Sequence, residues 1–281
     1  MKRLILLCTL LLTLLLAGCL PNLEPGPSLG EVKIHFIDVG QGDAVLIQSP
    51  SGQNVLYDGG RNNTDALSYL QNLGVLKLDL VIASHPDADH IGGLDAVIDF
   101  YAPALYMDNG VVATTQTYQN LLEAVQNAGS QLVEPTGQTI TLGDAALQII
   151  PPPTDESLNR NNRSIGLTLS FGAFDVALTG DAEEEEFEYW QTEQSELLKE
   201  VEIYKASHHG SSNGDTLESV TTFSPEVVVI GVSATNPFGH PTDEALNLYE
   251  GVGATIYRTD LDGDVVVSGL FNGQYRIETE P

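Results

Sequence analysis

Hydrophobic and polar positions divide the chain into short segments of changing period. Val32 to Ile37, Ala44 to Gln48 and Asn54 to Tyr57 are β-type runs separated by VGQGD and SPSGQ. Those separators carry turn chemistry, so the pattern predicts a β-meander. From Asp65 to Leu73 the apolar residues Ala66, Leu67, Leu70 and Leu73 share one helical face, and Gly74 ends the run. Leu80 to Ala83 reads as a buried strand, followed by the Ser84–Gly93 loop and a helix near Leu94–Phe100. A strand at Ala104–Met107 and a helix at Thr115–Ala128 complete the first half.

The second half repeats the theme. Strands are expected near Gln131–Val133, Thr139–Leu142 and Ala146–Ile150, before an irregular stretch from Pro151 to Arg163. Further strands fall at Ile165–Ser170, Phe174–Leu178, Val201–Ala206, Val227–Ile230, Thr255–Tyr257 and Val265–Val267. Glu183 to Glu186 open a helix, where carboxylates complement the helix dipole, and another helix lies near Asp243–Gly251. Two halves of strands with flanking helices predict an α/β fold, a sheet-on-sheet core covered by helices on both outer faces.

The first residues do not fit that pattern. Met1-Lys2-Arg3 is a short positive segment, and Leu4 to Leu16 is an almost unbroken apolar run, too short to span a bilayer comfortably. It reads as a signal peptide. The Leu16-Ala17-Gly18-Cys19 ending resembles the bacterial lipobox, which implies cleavage before Cys19 and lipidation of its thiol; a plain secretory signal is the alternative. The expected organisation is a signal peptide over 1–18, a lipidated, Pro- and Gly-rich tether over 19–30 and a single α/β domain over 31–281. The protein is then exported and held on a bacterial membrane by lipid at Cys19. Cys8 leaves with the signal and Cys19 carries lipid. The mature domain therefore has no free thiol, which excludes disulfides, a Cys nucleophile and Cys ligands.

Charge narrows the partners. The chain has 11 Lys and Arg against 39 Asp and Glu, a net charge of −28. Such a surface repels a nucleic-acid backbone at long range. Acidity for solubility is the plainer cause. No stable protein partner is implied.

The Ser84–His90 loop carries the chemistry. Ser84-His85-Pro86-Asp87-Ala88-Asp89-His90 sets two imidazoles and two carboxylates behind a buried strand, a rigid place from which to project ligands. Two of the chain's six His fall here, which argues against an incidental polar loop. Imidazole with carboxylate suits Zn²⁺, Mn²⁺ or Fe²⁺.

The segment resembles the His-x-His-x-Asp-His signature of the metallo-β-lactamase superfamily, with Asp87 in place of the second His. The likeness is closer to the hydrolase-like domain of ComEC-type competence proteins. It rests on FIDVGQGDAVLI at 36–47, YDGG at 57–60, SHPDADHIGG at 84–93, NNRS at 161–164, LTGD at 178–181, KASHHGS at 205–211 and NPFGHP at 236–241. These motifs span essentially the whole mature chain. The resemblance implies an αββα four-layer sandwich with one or two divalent ions, Zn or Mn, at one edge. It assigns His85 and Asp87 to one metal, Asp89 and His90 to the other, and Asp181 as the bridging carboxylate. Asp181 also suits a helix N-cap. His209 is the first choice for a late ligand and His208 for contact with the substrate. His240 is a further possible ligand or supporting group, and a buried turn histidine is the alternative.

Asp58 matches the family's first acidic marker and more often orients ligands than binds metal. Asp38, Gln41 and Asp43 are read as turn residues, with shaping of the same edge as the alternative, and His35 as a surface or packing residue. No His lies between 90 and 208, where many relatives carry another ligand; Asn162 stands near that position. One metal is then held by fewer ligands, and a mononuclear site stays open.

The expected reaction is hydrolysis by metal-activated water, with Asp89 orienting or deprotonating it. No Ser stands in a G-x-S-x-G elbow, and P-loop and dinucleotide fingerprints are missing. The resemblance suggests a phosphodiester substrate, single-stranded DNA or smaller, outside the cytoplasmic membrane. Arg160, Arg163 and Lys205 are expected near a substrate phosphate, with solvated loop charge as the alternative. Two other classes remain: a hydrolase of a non-phosphate ester, lactone or amide, and a surface binding protein with a structural metal.

Overall fold

The computed structural model describes residues 30–62 and 64–280. The expected signal peptide, Cys19 and nearly all of the tether lie outside them. The strands are β1 (Glu31–Phe36), β2 (Val45–Gln48), β3 (Asn54–Tyr57), β4 (Leu80–Ile82), β5 (Leu105–Met107), β6 (Gln131–Val133), β7 (Thr139–Leu142), β8 (Ala145–Ile150), β9 (Gly166–Phe171), β10 (Phe174–Leu178), β11 (Ile203–Lys205), β12 (Val227–Ile230), β13 (Thr255–Arg258), β14 (Asp264–Leu270) and β15 (Tyr275–Glu280). They form two mixed sheets, ordered β15-β14-β1-β2-β3-β4-β5-β6 and β13-β12-β11-β10-β9-β8-β7.

Each sheet is antiparallel on one side and parallel on the other. β3 to β6 run parallel through crossover helices, and so do β10 to β13. Strands covered on both faces need apolar residues at every position, and LVI in β4 and VVVI in β12 are wholly buried. The central core joins inner faces of both sheets, with Ile34, Val55 and Ile82 meeting Leu167, Val176 and Val229. A second core packs the helices Asp65–Asn72, Leu94–Tyr101 and Gln116–Ala128 on the outside of the first sheet. A third packs Glu184–Glu193, Leu217–Phe223 and Asp243–Gly251 outside the second. The result is the expected αββα sandwich.

Local chemistry sets the helix ends. Thr115 caps Gln116–Ala128 by accepting the Tyr118 N–H at 3.3 Å, and Gly129 ends it at φ 70°. A cap of that kind contributes about 1 kcal/mol. The hydrophobic pattern does not predict Leu217–Phe223, Ala88–Ile91 or β15. β15 (YRIETE) is an edge strand whose polar residues protect an open edge.

Candidate metal centre

The ends of parallel strands from both sheets converge on one rim. Asp58 follows β3, the Ser84 loop follows β4, Asp181 lies just beyond β10, and His208 and His209 follow β11. The Ile165 N–H donates to the Ser84 carbonyl at 3.0 Å, tying the two sheets together beside the site. The ligand loop rests on the β1–β2 turn, where the Asp43 N–H donates to the Asp89 carbonyl at 3.1 Å. Gly42 at φ 138° is required there, because a Cβ would collide with that carbonyl.

Three imidazoles are braced alike. His90 Nδ1 meets Asp58 Oδ2 at 2.8 Å, His209 Nδ1 donates to the Gly231 carbonyl at 2.8 Å, and His85 Nδ1 pairs with Ser84 Oγ at 3.0 Å. Bonding through Nδ1 orients each ring and leaves Nε2 facing the centre. Asp58 is itself saturated: the Ser84 N–H and Oγ–H donate to its two oxygens, both at 2.7 Å.

The Nε2 atoms gather around Asp181. His90 Nε2 lies 3.1 Å from Oδ1; His209, His208 and His85 Nε2 lie 3.5, 3.8 and 3.9 Å from Oδ2. Asp87 Oδ2 stands 4.0 Å from His85 Nε2, and Asp89 Oδ2 stands 3.8 Å from His209 Nε2. Oδ2 of Asp181 therefore faces His85, His208 and His209, and Oδ1 faces His90, with Asp87 beside His85 and Asp89 beside His209.

These residues fit a cation on two grounds. The Nε2 atoms of His85, His90 and His209 and Oδ1 of Asp181 are buried without hydrogen-bond partners, a costly arrangement unless something else binds them. The site also demands positive charge. Burial disfavours a charged imidazole at His90, yet Asp181 and Asp58 outweigh it and hold its pKa well above the usual range. Burial likewise lowers His209, but Asp181 and Asp43 raise it to about 9. His85 goes the other way, pushed well below by burial and by His90, which suits a neutral ligand.

A tighter group also exists: one atom each from Asp43, His90, Asp181 and His209 lie within 4.8 Å of one another. Asp43 is already matched there by Lys205, whose ammonium forms an ion pair with Asp43 Oδ2 and donates to the Gly180 carbonyl at 3.1 Å. Asp89 is therefore the better outer carboxylate.

Several sequence expectations need correction. Lys205 is only 1% exposed and committed to Asp43, so it cannot meet a substrate. Arg163 lines a separate groove with Asp108, the three prolines and Tyr189. Asn162 does not replace the missing histidine. Its Oδ1 accepts the Glu183 and Glu186 N–H groups at 3.2 and 3.1 Å, and its Nδ2 donates to Glu183 and Glu185. The neighbouring Asn161 faces the site instead, with Nδ2 3.5 Å from His208 Nε2. His240 sits at the mouth against the His208 ring, 5.6 Å between centroids. Asp58 braces, with both oxygens in use. Asp43, read as a turn residue, belongs to the buried cluster, whereas Asp38 is a turn residue that accepts the Gly40 N–H at 3.0 Å. His35 packs as expected, bonded to Tyr69 and Gln48.

Other residues gave no clear signal in the sequence. Glu183 Oε1 lies 3.2 Å from His208 Nδ1. Asp215 holds the histidine turn by accepting from Tyr204, Tyr249 and Ser219 hydroxyls and from the Ser207 N–H. That turn places His208 and His209 at φ 48° and 55°, uncommon for residues with side chains and stable only when the surroundings enforce it.

Comparison with known proteins agrees with this geometry. The chain belongs to the metallo-β-lactamase superfamily, whose family model matches residues 37–232. With its buried Asp and His cluster, it is a metal-dependent hydrolase of that superfamily. ComE operon protein 3 of Bacillus subtilis (strain 168) is 24% identical over 281 residues, covering 92% of this chain and 34% of the relative. Competence protein ComA of Neisseria gonorrhoeae is 26% identical over 253 residues, covering 89% of this chain and 34% of the relative. The chain thus spans about a third of the length of these curated relatives. Among solved structures, the metallo-β-lactamase fold protein YhfI from Bacillus subtilis shares the fold. Its TM-score is 0.55 at 14% identity, over 85% of this chain and 100% of that one.

Proposed function

We propose that the protein is an extracytoplasmic phosphodiesterase acting on single-stranded DNA or smaller phosphodiesters. The observation that carries this reading is the placement of two guanidinium groups at the mouth of the centre. Arg160 Nη1 lies 2.8 Å from Asp87 Oδ1 and Arg61 Nη2 lies 3.8 Å from Asp89 Oδ2. In a chain with only 11 basic residues, two beside the ligand carboxylates favour an anionic substrate. Similarity to Competence protein ComA, and to Recombination protein 2 of Haemophilus influenzae, supports the same reading.

His85, Asp87 and Asp181 would hold one divalent ion, and Asp89, His90, His209 and Asp181 another. Zn or Mn held by these residues would supply Lewis acidity, lowering the pKa of water and withdrawing charge from a phosphoryl oxygen. Asp89 orients the attacking water. Arg61 and Arg160 hold the non-bridging oxygens. His208, with Glu183 at its Nδ1, delivers a proton to the departing oxygen.

Metal reconstitution followed by assay on bis-p-nitrophenyl phosphate, single-stranded DNA and a lactone tests the reading, with Asp89→Ala as control. Cleavage of both phosphodiesters, absent in the control, supports it. Turnover of the lactone alone overturns it. Export and anchoring rest on Met1 to Cys19. Labelled palmitate should enter the wild type and not Cys19→Ala.

A further inference from the structure

The mouth of the metal centre carries an aromatic surface with no part in the hydrolysis described above. Phe238 is 58% exposed. Exposed apolar side chains are common, and this chain has others, such as Leu76 and Leu217. Phe238 differs in two respects. It lines the same cavity, about 360 Å³, as Asp181, His208, Arg61 and Arg160. Its ring also stacks on His240, with centroids 5.6 Å apart and planes inclined by 29°.

The turn that presents it is built. Asn236 Oδ1 accepts the N–H groups of Phe238 and His240 at 3.1 and 3.0 Å, and its Nδ2 donates to the carbonyls of Ser233 and His240, both at 2.7 Å. The backbone that carries the ring is therefore set before a ligand arrives, so less ordering is needed on binding.

We infer that Phe238, backed by His240, is a stacking platform for one unpaired nucleobase, while Arg61 and Arg160 hold the adjoining phosphate over Asp181. The substrate class is a single-stranded oligonucleotide, engaged one nucleotide at a time. This deepens the phosphodiesterase reading and rests on it. A flat ring in reach of a phosphate site is how sequence-tolerant single-strand binding is achieved, since every base has a π-face. A duplex offers no free base, and a chain of charge −28 lacks the basic surface to hold its backbone.

The test compares oligothymidylate with an abasic oligonucleotide of equal length, using the metal-loaded protein. The wild type should cleave the base-bearing strand with kcat/KM about tenfold above the abasic one, mostly through KM. Phe238→Leu should bring that ratio near one, and Phe238→Trp should restore it. Arg61→Gln should weaken both substrates and leave the ratio standing. If the wild type cleaves both strands equally well, the platform is wrong and the phosphodiesterase reading survives. If Phe238→Leu leaves the tenfold ratio intact, the platform is likewise wrong. If the wild type cleaves neither, both readings fall together.

Discussion

Asp58 and Asp181 are both buried carboxylates at strand ends, one from each sheet, on opposite sides of the same histidine. Asp58 accepts from the Ser84 backbone, the Ser84 hydroxyl and His90 Nδ1, so its charge is fully used. Asp181 has Oδ1 unpaired and imidazole Nε2 atoms arrayed around it. Burial raises the Asp58 carboxyl even though His90 and Ser84 pull it down. Burial works the same way on Asp181, yet His90 and His209 hold it well below the carboxylate range. A satisfied buried acid is a brace, and an unsatisfied one surrounded by nitrogen donors is a ligand. Type and burial alone do not separate them; the hydrogen-bond inventory does.

Substitution can break this comparison. Asp181→Asn should lower kcat/KM roughly a thousandfold, the several kcal/mol that a correctly held metal contributes. The metal-free variant should lose stability at neutral pH, because the Asp181 charge offsets the buried His90 and His209 imidazoles. Metal affinity unchanged in Asp181→Asn, read by competition with a chelating dye, would make Asp181 another brace. Lys205→Met should destabilise by about 3 kcal/mol in urea unfolding, since it strands the Asp43 charge in the interior. The double change Asp43→Asn with Lys205→Met should recover most of that loss.

Asp58→Asn should weaken metal affinity about 10–100-fold without removing a ligand, measured by competition with a chelating dye. It should also lower stability in the absence of metal, because an amide cannot accept all three donors. The smallest effect belongs to His35, a satisfied histidine outside the centre. Burial lowers its pKa from 6.5 to about 4. The unfolded chain therefore binds that proton more tightly. The stabilisation is present above pH 6.5 and is lost as pH falls toward 4. Between pH 7 and 5.5 the cost is about 1 kcal/mol. His35→Gln should lack that component when urea midpoints are compared at the two pH values.

The layered fold was legible because its strands and helices obey their periods. Asp243–Gly251 and Phe174–Leu178 fall where the apolar pattern places them. β15 escaped because an edge strand with exposed Glu and Arg has no buried face to show. Leu217–Phe223 escaped because it is short and held by a capping box of Thr216 with Ser219 rather than by a long amphipathic stripe. At the centre, the loop from Ser84 to His90 announced itself by density of ligand types. Lys205 and Arg163 did not reveal their roles, because a cation near a motif can point inward, outward or along a neighbouring groove. Asn161 and Asn162 show the limit most sharply: adjacent in sequence and alike in chemistry, one lines the cavity and the other anchors a helix start.

β1 lies between β2 and β14, and the Asp38 N–H donates to Asp264, 226 residues later, at 2.7 Å. A growing chain therefore makes β1 long before its second neighbour. Throughout that interval one side of β1 is an open hydrogen-bonding edge, able to recruit a strand from another copy. The late hairpin closes that edge, and long-range pairing of this kind slows folding.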